Sequence, residues 1–487
     1  MFGLIGAGAA AALLLWFSIG QPVWFDEGYS ILLAKQSWGE LLSLTAVDAH
    51  PPFYYLLLKA WGDLFGFTEF ALRSLSALLM GGAVFVGFAV LRRLFSTKVA
   101  LYALPFMVFA PFLLRYGYEV RMYALATLIA VSATYALIRA VAAKGWKWWI
   151  VYGGLVALGM YTLYLLAAVW LAHFVWVLVS SIRSKERPFW RWKWLYAYAG
   201  AVVLFAAYIP IFVHQLLNSA LPGMGNAMTV PQLTNIASMF VLYAPEWTLG
   251  SWGTIGVLLV TVALTVLGVR VYKKGTKQTK KALWLLLALS FVPIVFYGLA
   301  SLSAKPIYIV RYMAHSGIFI YMLIGVVIAL GIHHKVKRAF LTAAFVIMML
   351  LVGVVSLWKA GNFNLERMQQ PETHAVRTAA ECDVPGTQVI ADDPYTFIDS
   401  AFYFQGCSFY FFSKDDVAYK GGYAMLHGST QRVALADDVT AERVVHLHWD
   451  GNTPGLILGD RYEVESSQAF DKQVVTIYKK VSTSSVE

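Results

Sequence analysis

The chain has 487 residues, of which 59% are apolar and only 13% are charged. An ordinary soluble protein carries about 25% charged residues, so this composition excludes that class and indicates a membrane-embedded chain. The formal net charge is +11, but the basic excess lies in short loops between apolar runs, as topology signals do. Nucleic-acid binding is therefore not expected.

Apolar runs of about 17–25 residues match a hydrocarbon core of about 30 Å. The sequence predicts an α-helical polytopic membrane protein with about 11 spans. The runs lie at 3–20, 69–91, 99–114, 119–141, 147–162, 164–182, 194–214, 250–271, 282–302, 312–331 and 339–358. The stretch 147–182 fits either one bent helix or two. The first run lacks a basic region before it, which favours a retained span over a cleaved signal peptide.

The loops after the second, fourth, sixth, eighth and tenth runs hold 20 Lys and Arg residues, and the opposite loops before the tail hold 7. The positive-inside rule places the richer set in the cytoplasm. We therefore expect a multi-pass protein of the plasma membrane, with a cytoplasmic N-terminus and an external first loop and tail. Eight of the nine acids before residue 360 fall on the external side. Insertion does not explain that bias, whereas an outward-facing polar cavity would.

The first external loop, residues 21–61, predicts amphipathic juxtamembrane helices. Asp26 has the position of an N-cap for a helix over 27–36, and Ser37 with Glu40 has the capping-box spacing for 38–46. Pro51 suits the first turn of a helix over 51–65. These helices carry acids at the boundary between water and lipid.

The composition changes near residue 360, and the tail has a net charge of −8. We therefore divide the chain into a transmembrane catalytic domain, 1–359, and a small external α/β domain, 360–487. Alternating helical and strand-like segments in the tail support this: 372–382, 388–392, 394–405, 408–412, 432–436, 443–449 and 473–481. The two cysteines, Cys382 and Cys407, form either one disulfide or two thiols, since two are too few for a disulfide scaffold.

Two pairs of nearby residues in the first loop are candidates for a functional site. Asp26 and Glu27 fit a cap and a helix-dipole partner, but beside aromatic residues at the end of a span they also fit catalysis. Asp48 and His50 either cap the next helix, orient a substrate, or bind a divalent metal with Glu246. No cofactor is required by the sequence, and a divalent metal stays an open possibility.

Two later clusters are also candidate sites. The first holds charges of both signs, and the second holds cations beside aromatic residues. Glu119 lies between Arg115 and Arg121 in a very short external loop, where charge at membrane depth is costly unless it is used. Arg115 and Glu119 are four residues apart and could pair along one helical face. Lys305 and Arg311, with Tyr312, open a later span and fit either an aromatic-belt anchor or a phosphate site, since Arg binds phosphate through its fork.

Taken together, these stretches resemble the membrane glycosyltransferases of family 39 type in the GT-C superfamily, which includes protein mannosyltransferases and aminoarabinose transferases. The resemblance is dense over 1–140 and sparse over 141–330. Its motifs are Trp24-Phe25-Asp26-Glu27, His50-Pro51-Pro52-Phe53-Tyr54-Tyr55, Glu69 with Leu72-Arg73, the Glu-x-Arg-Met-Tyr-Ala element from Glu119 to Ala124, and Arg311-Tyr312.

The resemblance implies a transferase that uses a polyprenyl-phosphate-linked sugar and an acceptor lipid, polysaccharide or protein. It implies Asp26 as general base, Glu119 as the acid that orients the acceptor or a metal, and Arg311, Lys305 and Arg121 as phosphate ligands. The alternative is a lipid-linked-sugar flippase or secondary transporter. That class would need charges near the bilayer midplane, and the predicted spans hold almost none.

The loop charges make a topology prediction. A cysteine introduced at Thr430 should react with a membrane-impermeant maleimide in intact cells, and one introduced at Gly275 should react only after permeabilisation. Labelling of both positions from the same side would contradict the predicted orientation.

Overall fold

The computed structural model describes residues 1–143, 145–183, 192–218, 246–300, 310–359, 373–470 and 473–481. These residues form two compact units. The first comprises residues 1–19 and 50–212 with the described residues of 221–359. The second joins residues 20–49 and the described part of 213–220 to the C-terminal part of the chain. One border of these units lies at 359/360, where the sequence analysis divides the chain, but residues 20–49 of the first loop group with the tail.

The helices run in chain order as follows. The first twelve are α1 (Phe2–Ser18), α2 (Phe25–Lys35), α3 (Trp38–Val47), α4 (Phe53–Phe65), α5 (Glu69–Leu94), α6 (Thr97–Val108), α7 (Pro111–Tyr116), α8 (Tyr123–Ala142), α9 (Lys147–Met160), α10 (Ala167–Arg183), α11 (Lys193–Phe205) and α12 (Ile209–Asn218). They are followed by α13 (Glu246–Lys274), α14 (Lys277–Ala300), α15 (Ala314–Gly331), α16 (Lys335–Lys359), α17 (Thr373–Ala380) and α18 (Pro394–Ser400).

Each predicted apolar run overlaps one of these helices. Within the described ranges, seven helices are long and apolar enough to cross a membrane, and α1 and α6 are shorter apolar helices. The polytopic helical class is therefore confirmed, while the number of eleven spans stays a prediction. The stretch 147–182 forms two helices, α9 and α10. The run 99–114 is split because Pro111 begins a new helix, α7.

In the membrane unit, α5 packs against α1 on one side and α8 on the other. Gly81 makes the close approach to α1 possible, because a Cβ there would lie only 2.7 Å from the Ala7 carbonyl oxygen. At the end of α1, the Ser18 carbonyl accepts a hydrogen bond of 3.1 Å from Arg73 Nη1. Helix α15 packs against α6, α8 and α14. These contacts hold the ends of α5 and α8 in fixed positions.

The second unit contains a six-stranded mixed sheet in the order β3-β2-β1-β4-β6-β5. Strands β1 to β4 are parallel, and β6 pairs antiparallel with both β4 and β5. The strands are β1 (Thr387–Ala391), β2 (Phe409–Phe412), β3 (Arg432–Val433), β4 (Arg443–Trp449), β5 (Tyr462–Phe470) and β6 (Gln473–Lys480). The predicted small α/β part is therefore confirmed. Cys382 and Cys407 form a disulfide.

Strand β5 was not predicted from the sequence. It is an edge strand whose side chains are exposed from Glu463 to Ala469. A strand with exposed side chains needs no apolar residues, so the short apolar run that reveals the buried strands β1 and β4 is missing here.

The first loop is built into this second unit. The Phe25 ring stacks on Tyr395 with ring centroids 4.4 Å apart, and the Val23 N–H donates to the Tyr403 hydroxyl at 2.7 Å. Helix α2 approaches α18 at Gly28, where a Cβ would lie 2.6 Å from the Ile398 carbonyl oxygen. Only glycine allows this approach. The loop and the tail therefore form one packed body.

The predicted caps of the loop helices have different outcomes. Ser37 caps α3 as expected, accepting a hydrogen bond from the Glu40 N–H. The N-cap prediction for Asp26 is wrong, because α2 starts at Phe25 and Trp24 is its N-cap. Asp26 therefore lies in the first helical turn, where its charge interacts with the helix dipole.

The close approach at Gly28 makes a stability prediction. Gly28→Ala should lower the melting temperature of the purified protein, because overpacking costs about 1–3 kcal/mol. Gly39→Ala is the matched control on α3, since a Cβ there meets nothing within 4 Å. Equal melting temperatures for the two variants would show that α2 does not pack on α18 as described.

Candidate active site

A buried charge cluster lies in the short connection between α7 and α8, residues 117–122, all of which are buried. Glu119 Oε1 lies 2.8 Å from Arg115 Nη1, and the side chains are 0% and 2% exposed. The sequence predicts this pair on one helical face; the pair forms, but α7 ends at Tyr116 and Glu119 lies beyond the helix. An ion pair removed from water is costly and ionisable residues inside membrane units are rare, so we take this arrangement as a candidate functional site.

The backbone of the connection is fixed by α5. Ser76 Oγ donates to the Glu119 carbonyl oxygen at 2.6 Å, and the Arg121 N–H donates to the same oxygen at 2.7 Å. Two donors on one carbonyl hold the peptide plane, so the Glu119 side chain starts from a defined backbone position.

Arg121 links this connection to the start of α4. Its Nη1 donates to the Tyr55 hydroxyl at 3.1 Å, and its Nη2 lies 3.2 Å from His50 Nε2. A guanidinium group only donates, so His50 Nε2 accepts this bond. Arg121 is 3% exposed. The His-Pro-Pro-aromatic motif that begins at His50 and the Glu-x-Arg-Met-Tyr-Ala element that begins at Glu119 are thus in direct contact.

Two further arginines belong to the cluster, and the sequence analysis did not single them out as site residues. Arg73 and Arg115 are each 1% exposed. The Tyr118 ring lies between them, with its centroid 5.7 Å from Arg73 Cζ and 6.0 Å from Arg115 Cζ. Arg73 also lies 3.9 Å from Glu69. The sequence signal that could have identified Arg73 is its position in the first turns of an apolar span, because a charged residue in such a span is rarely only structural.

Arg311 lies in a 3₁₀ turn that leads into α15 and is 8% exposed. Its Cζ lies 5.7 Å from the centroid of the Tyr312 ring. Helix α15 packs against α7, the helix that carries Arg115. Lys305 lies outside the described residues.

The second unit holds the acids of the first loop. Glu27 is fully buried, whereas Asp26 is partly exposed, and the Asp26 carbonyl accepts a bond from Ser30 Oγ. Asp48 is 6% exposed and accepts a hydrogen bond of 2.9 Å from the Tyr29 hydroxyl. Asp26 is thus less buried than Glu27, although its Oδ2 atom is itself buried.

Aromatic residues of the tail surround the residue before Asp26. The Phe25 ring contacts Tyr395 and also Tyr423, whose ring centroid is 5.9 Å away. Burial raises the pKa of the Tyr423 hydroxyl to about 12, and the charge of Asp393 adds to the effect. Tyr423 is therefore an uncharged neighbour of the first turn of α2 at physiological pH.

No three His, Cys, Asp or Glu side chains come together as a metal site in the part of the chain that the structure describes. Of the predicted metal candidates, Asp48 is bonded to Tyr29 and His50 to Arg121. The side chain of Glu246 lies outside the described residues. The divalent metal stays an untested prediction.

The buried pair makes a prediction about stability. Glu119→Gln leaves Arg115 buried without its carboxylate, which should cost about 3–5 kcal/mol and lower the melting temperature in detergent. Asp437→Asn is the matched control, because Asp437 pairs with Arg461 at the same distance of 2.8 Å but the two side chains are 87% and 46% exposed. The control substitution should lower the free energy of unfolding by at most about 1 kcal/mol. Equal shifts for both variants would contradict the buried pairing.

Comparison with known proteins supports the resemblance seen in the sequence. Residues 49–211 match a family model described as dolichyl-phosphate-mannose-protein mannosyltransferase. This stretch contains His50, Tyr55 and all the arginines of the cluster at Glu119. No curated protein sequence matches the chain.

Solved structures show the same fold. The crystal structure of ArnT from Cupriavidus metallidurans in the apo state matches with a TM-score of 0.65, 12% sequence identity and coverage of 97% of both chains. The structure of the same protein bound to undecaprenyl phosphate matches with a TM-score of 0.63, 13% identity and the same coverage. The chain therefore shares the fold of these structures, and the family model matched over residues 49–211 agrees with the resemblance to family 39 type glycosyltransferases.

Proposed function

We propose that this protein is a membrane glycosyltransferase that moves a sugar from a polyprenyl-phosphate carrier to a hydroxyl group of an acceptor on the external face. The acceptor is a lipid, a polysaccharide or a protein. In-line attack on the anomeric carbon would invert its configuration. The observation that carries the proposal is the buried cluster of Arg73, Arg115, Arg121 and Glu119, which lies inside the stretch that matches the mannosyltransferase model.

The donor chemistry follows from the charges of this cluster. A glycosyl phosphate already carries a good leaving group, so the reaction needs stabilisation of the departing phosphate rather than a strong general acid. Guanidinium groups suit that task because their fork matches the phosphate oxygens. The match to a protein bound to undecaprenyl phosphate supports a polyprenyl carrier.

We assign the roles accordingly. Arg311 holds the donor phosphate, aided by Arg121 and, beyond the described residues, by Lys305. Tyr312 supports Arg311 through its ring. Glu119 orients the acceptor or a divalent metal.

The acids and the histidine of the first loop serve the acceptor. Asp26 is the general base that takes the proton from the acceptor hydroxyl. Glu27, Asp48 and His50 contribute to substrate binding.

The membrane placement follows from the loop charges. We propose that the N-terminus lies in the cytoplasm and that the first loop and the tail lie outside. The Cys382–Cys407 disulfide supports an external tail, because disulfides form and persist in oxidising compartments.

A transfer assay tests the proposed function directly. The purified protein in detergent, supplied with a polyprenyl-phosphate sugar and candidate acceptors, should release free polyprenyl phosphate and a glycosylated product. A transporter or flippase would move its cargo only across a bilayer, so it would form no product in detergent. Absence of transfer from every donor tested, in folded protein, would reject the proposal.

Asp26→Asn tests the assigned base. The substitution keeps the shape of the side chain but removes the charge, so turnover should fall roughly 10²–10⁴-fold. Helix α2 should lose only about 0.3–1 kcal/mol, the usual value of an acid in the first turn.

Glu40→Gln is the matched control for this variant, because Glu40 also lies in a first helical turn, that of α3, and is exposed. Its turnover should stay close to wild type. If Asp26→Asn keeps more than about a tenth of the activity, the base lies elsewhere.

A further inference from the structure

A second cationic site lies at the other ends of α5 and α8. A cavity of about 510 Å³ opens between them. Three arginines, one tyrosine and three alanines line it: Arg92, Arg93, Arg139, Tyr135, Ala89, Ala142 and Ala143. None of the described residues that line the cavity is acidic. On α5 the cavity residues Ala89 and Arg93 follow Arg73 by 16 and 20 residues, so about 24–30 Å separates the cavity from Arg73. The cavity is therefore distinct from the candidate active site.

One of the arginines is held in place by its neighbours. Arg139 Nη1 donates to the Tyr135 hydroxyl at 3.1 Å. The Arg139 guanidinium also lies 4.6 Å from the centroid of the Trp148 ring. A stacked and hydrogen-bonded guanidinium loses little further freedom on binding, so its fork is preorganised for an anion.

Topology and helix capping explain the arginines but not the cavity. Basic residues in the last turn of α5 and α8 fit the positive-inside rule and the helix dipole. Neither effect requires three guanidinium groups around one open space. The three alanines leave that space empty where longer side chains would fill it. Like charges around a cavity repel one another, and a bound anion removes that cost.

We propose that this cavity binds the phosphate group of an anionic ligand, outside the transfer reaction. Its position at the ends of two membrane helices fits an anionic phospholipid headgroup. Basic pockets between membrane helices recognise such headgroups on the cytoplasmic side, which is the side that the loop charges predict for Arg92, Arg93 and Arg139. A soluble phosphate has the same charge and geometry, and the two sources are separated by experiment.

The test is a binding titration of the full-length protein in a mild neutral detergent. Phosphatidylglycerol, phosphatidylcholine and inorganic phosphate are added separately, and binding is followed by native mass spectrometry and thermal shift. Phosphatidylglycerol should bind and phosphatidylcholine should not. Binding of inorganic phosphate in place of phosphatidylglycerol would support the phosphate site and identify the soluble source.

Variants locate the binding to the cavity. Arg139→Gln should weaken binding of the anionic ligand about 10-fold or more, the usual effect of losing a charge-assisted hydrogen bond. Arg93→Gln should weaken it in the same direction. Lys98→Gln is the matched control, because Lys98 is an exposed cation near the start of α6 that does not line the cavity. Its affinity should equal that of the wild type.

The wild-type protein provides a test that does not depend on folding of the variants. Affinity for the anionic ligand should fall as ionic strength rises, because guanidinium–phosphate attraction is screened. Equal binding of phosphatidylglycerol and phosphatidylcholine, salt-independent binding, or equal affinity of the Arg139 and Lys98 variants would each overturn the proposal.

Discussion

In the described part of the membrane unit, Arg115 on α7 and Glu119 in the connection to α8 form an ion pair that is almost completely removed from water. Charges inside a membrane unit persist only where they are paired and used. The pair has the short distance and nearly complete burial that this requires. It is joined to α5 through the Ser76 bond to the Glu119 carbonyl. The neighbouring Arg121 extends the same network to α4 through Tyr55 and His50.

Residues 20–49 of the first loop form one compact unit with the tail, and this changes the role expected for each of them. The sequence analysis divided the chain at residue 360 and treated the tail as a domain of its own. The structure instead packs α2 on α18 and stacks Phe25 on Tyr395, one residue before the proposed base. The tail thereby contributes to the placement of Asp26. A tail fragment expressed without residues 20–49 would expose the surfaces of α18 that α2 covers.

Much of the fold follows from local patterns. Apolar runs predicted the membrane helices, because hydrophobic length is a local property. Ser37 was recognised as a cap because its partner, the Glu40 N–H, lies three residues away. The Arg115–Glu119 pair was expected for the same reason, since residues four apart meet on one helical face.

The features that the sequence did not reveal are mostly long-range. Val23 and Tyr403 are 380 residues apart in the chain, and no local pattern indicates their hydrogen bond. Arg73 comes close to the charge cluster at Glu119 only because α5 packs against the helices around it. The sequence therefore provided no reason to assign Arg73 to that cluster. Strand β5 was missed because its side chains are exposed, so its sequence contains no apolar run that would indicate a strand. The start of α2 was misplaced by two residues, an error that side-chain capping rules make whenever a residue such as Trp24 is the cap.

The central claim is that the cations of the membrane unit bind the phosphate of a lipid carrier. Thermal stabilisation by polyprenyl phosphate, compared with the polyprenol of equal chain length, tests it most directly, because the two ligands differ only in the phosphate. The account predicts a concentration-dependent rise in melting temperature with polyprenyl phosphate and little change with polyprenol. Equal stabilisation by both would show that the protein recognises the hydrocarbon chain alone and would contradict the account.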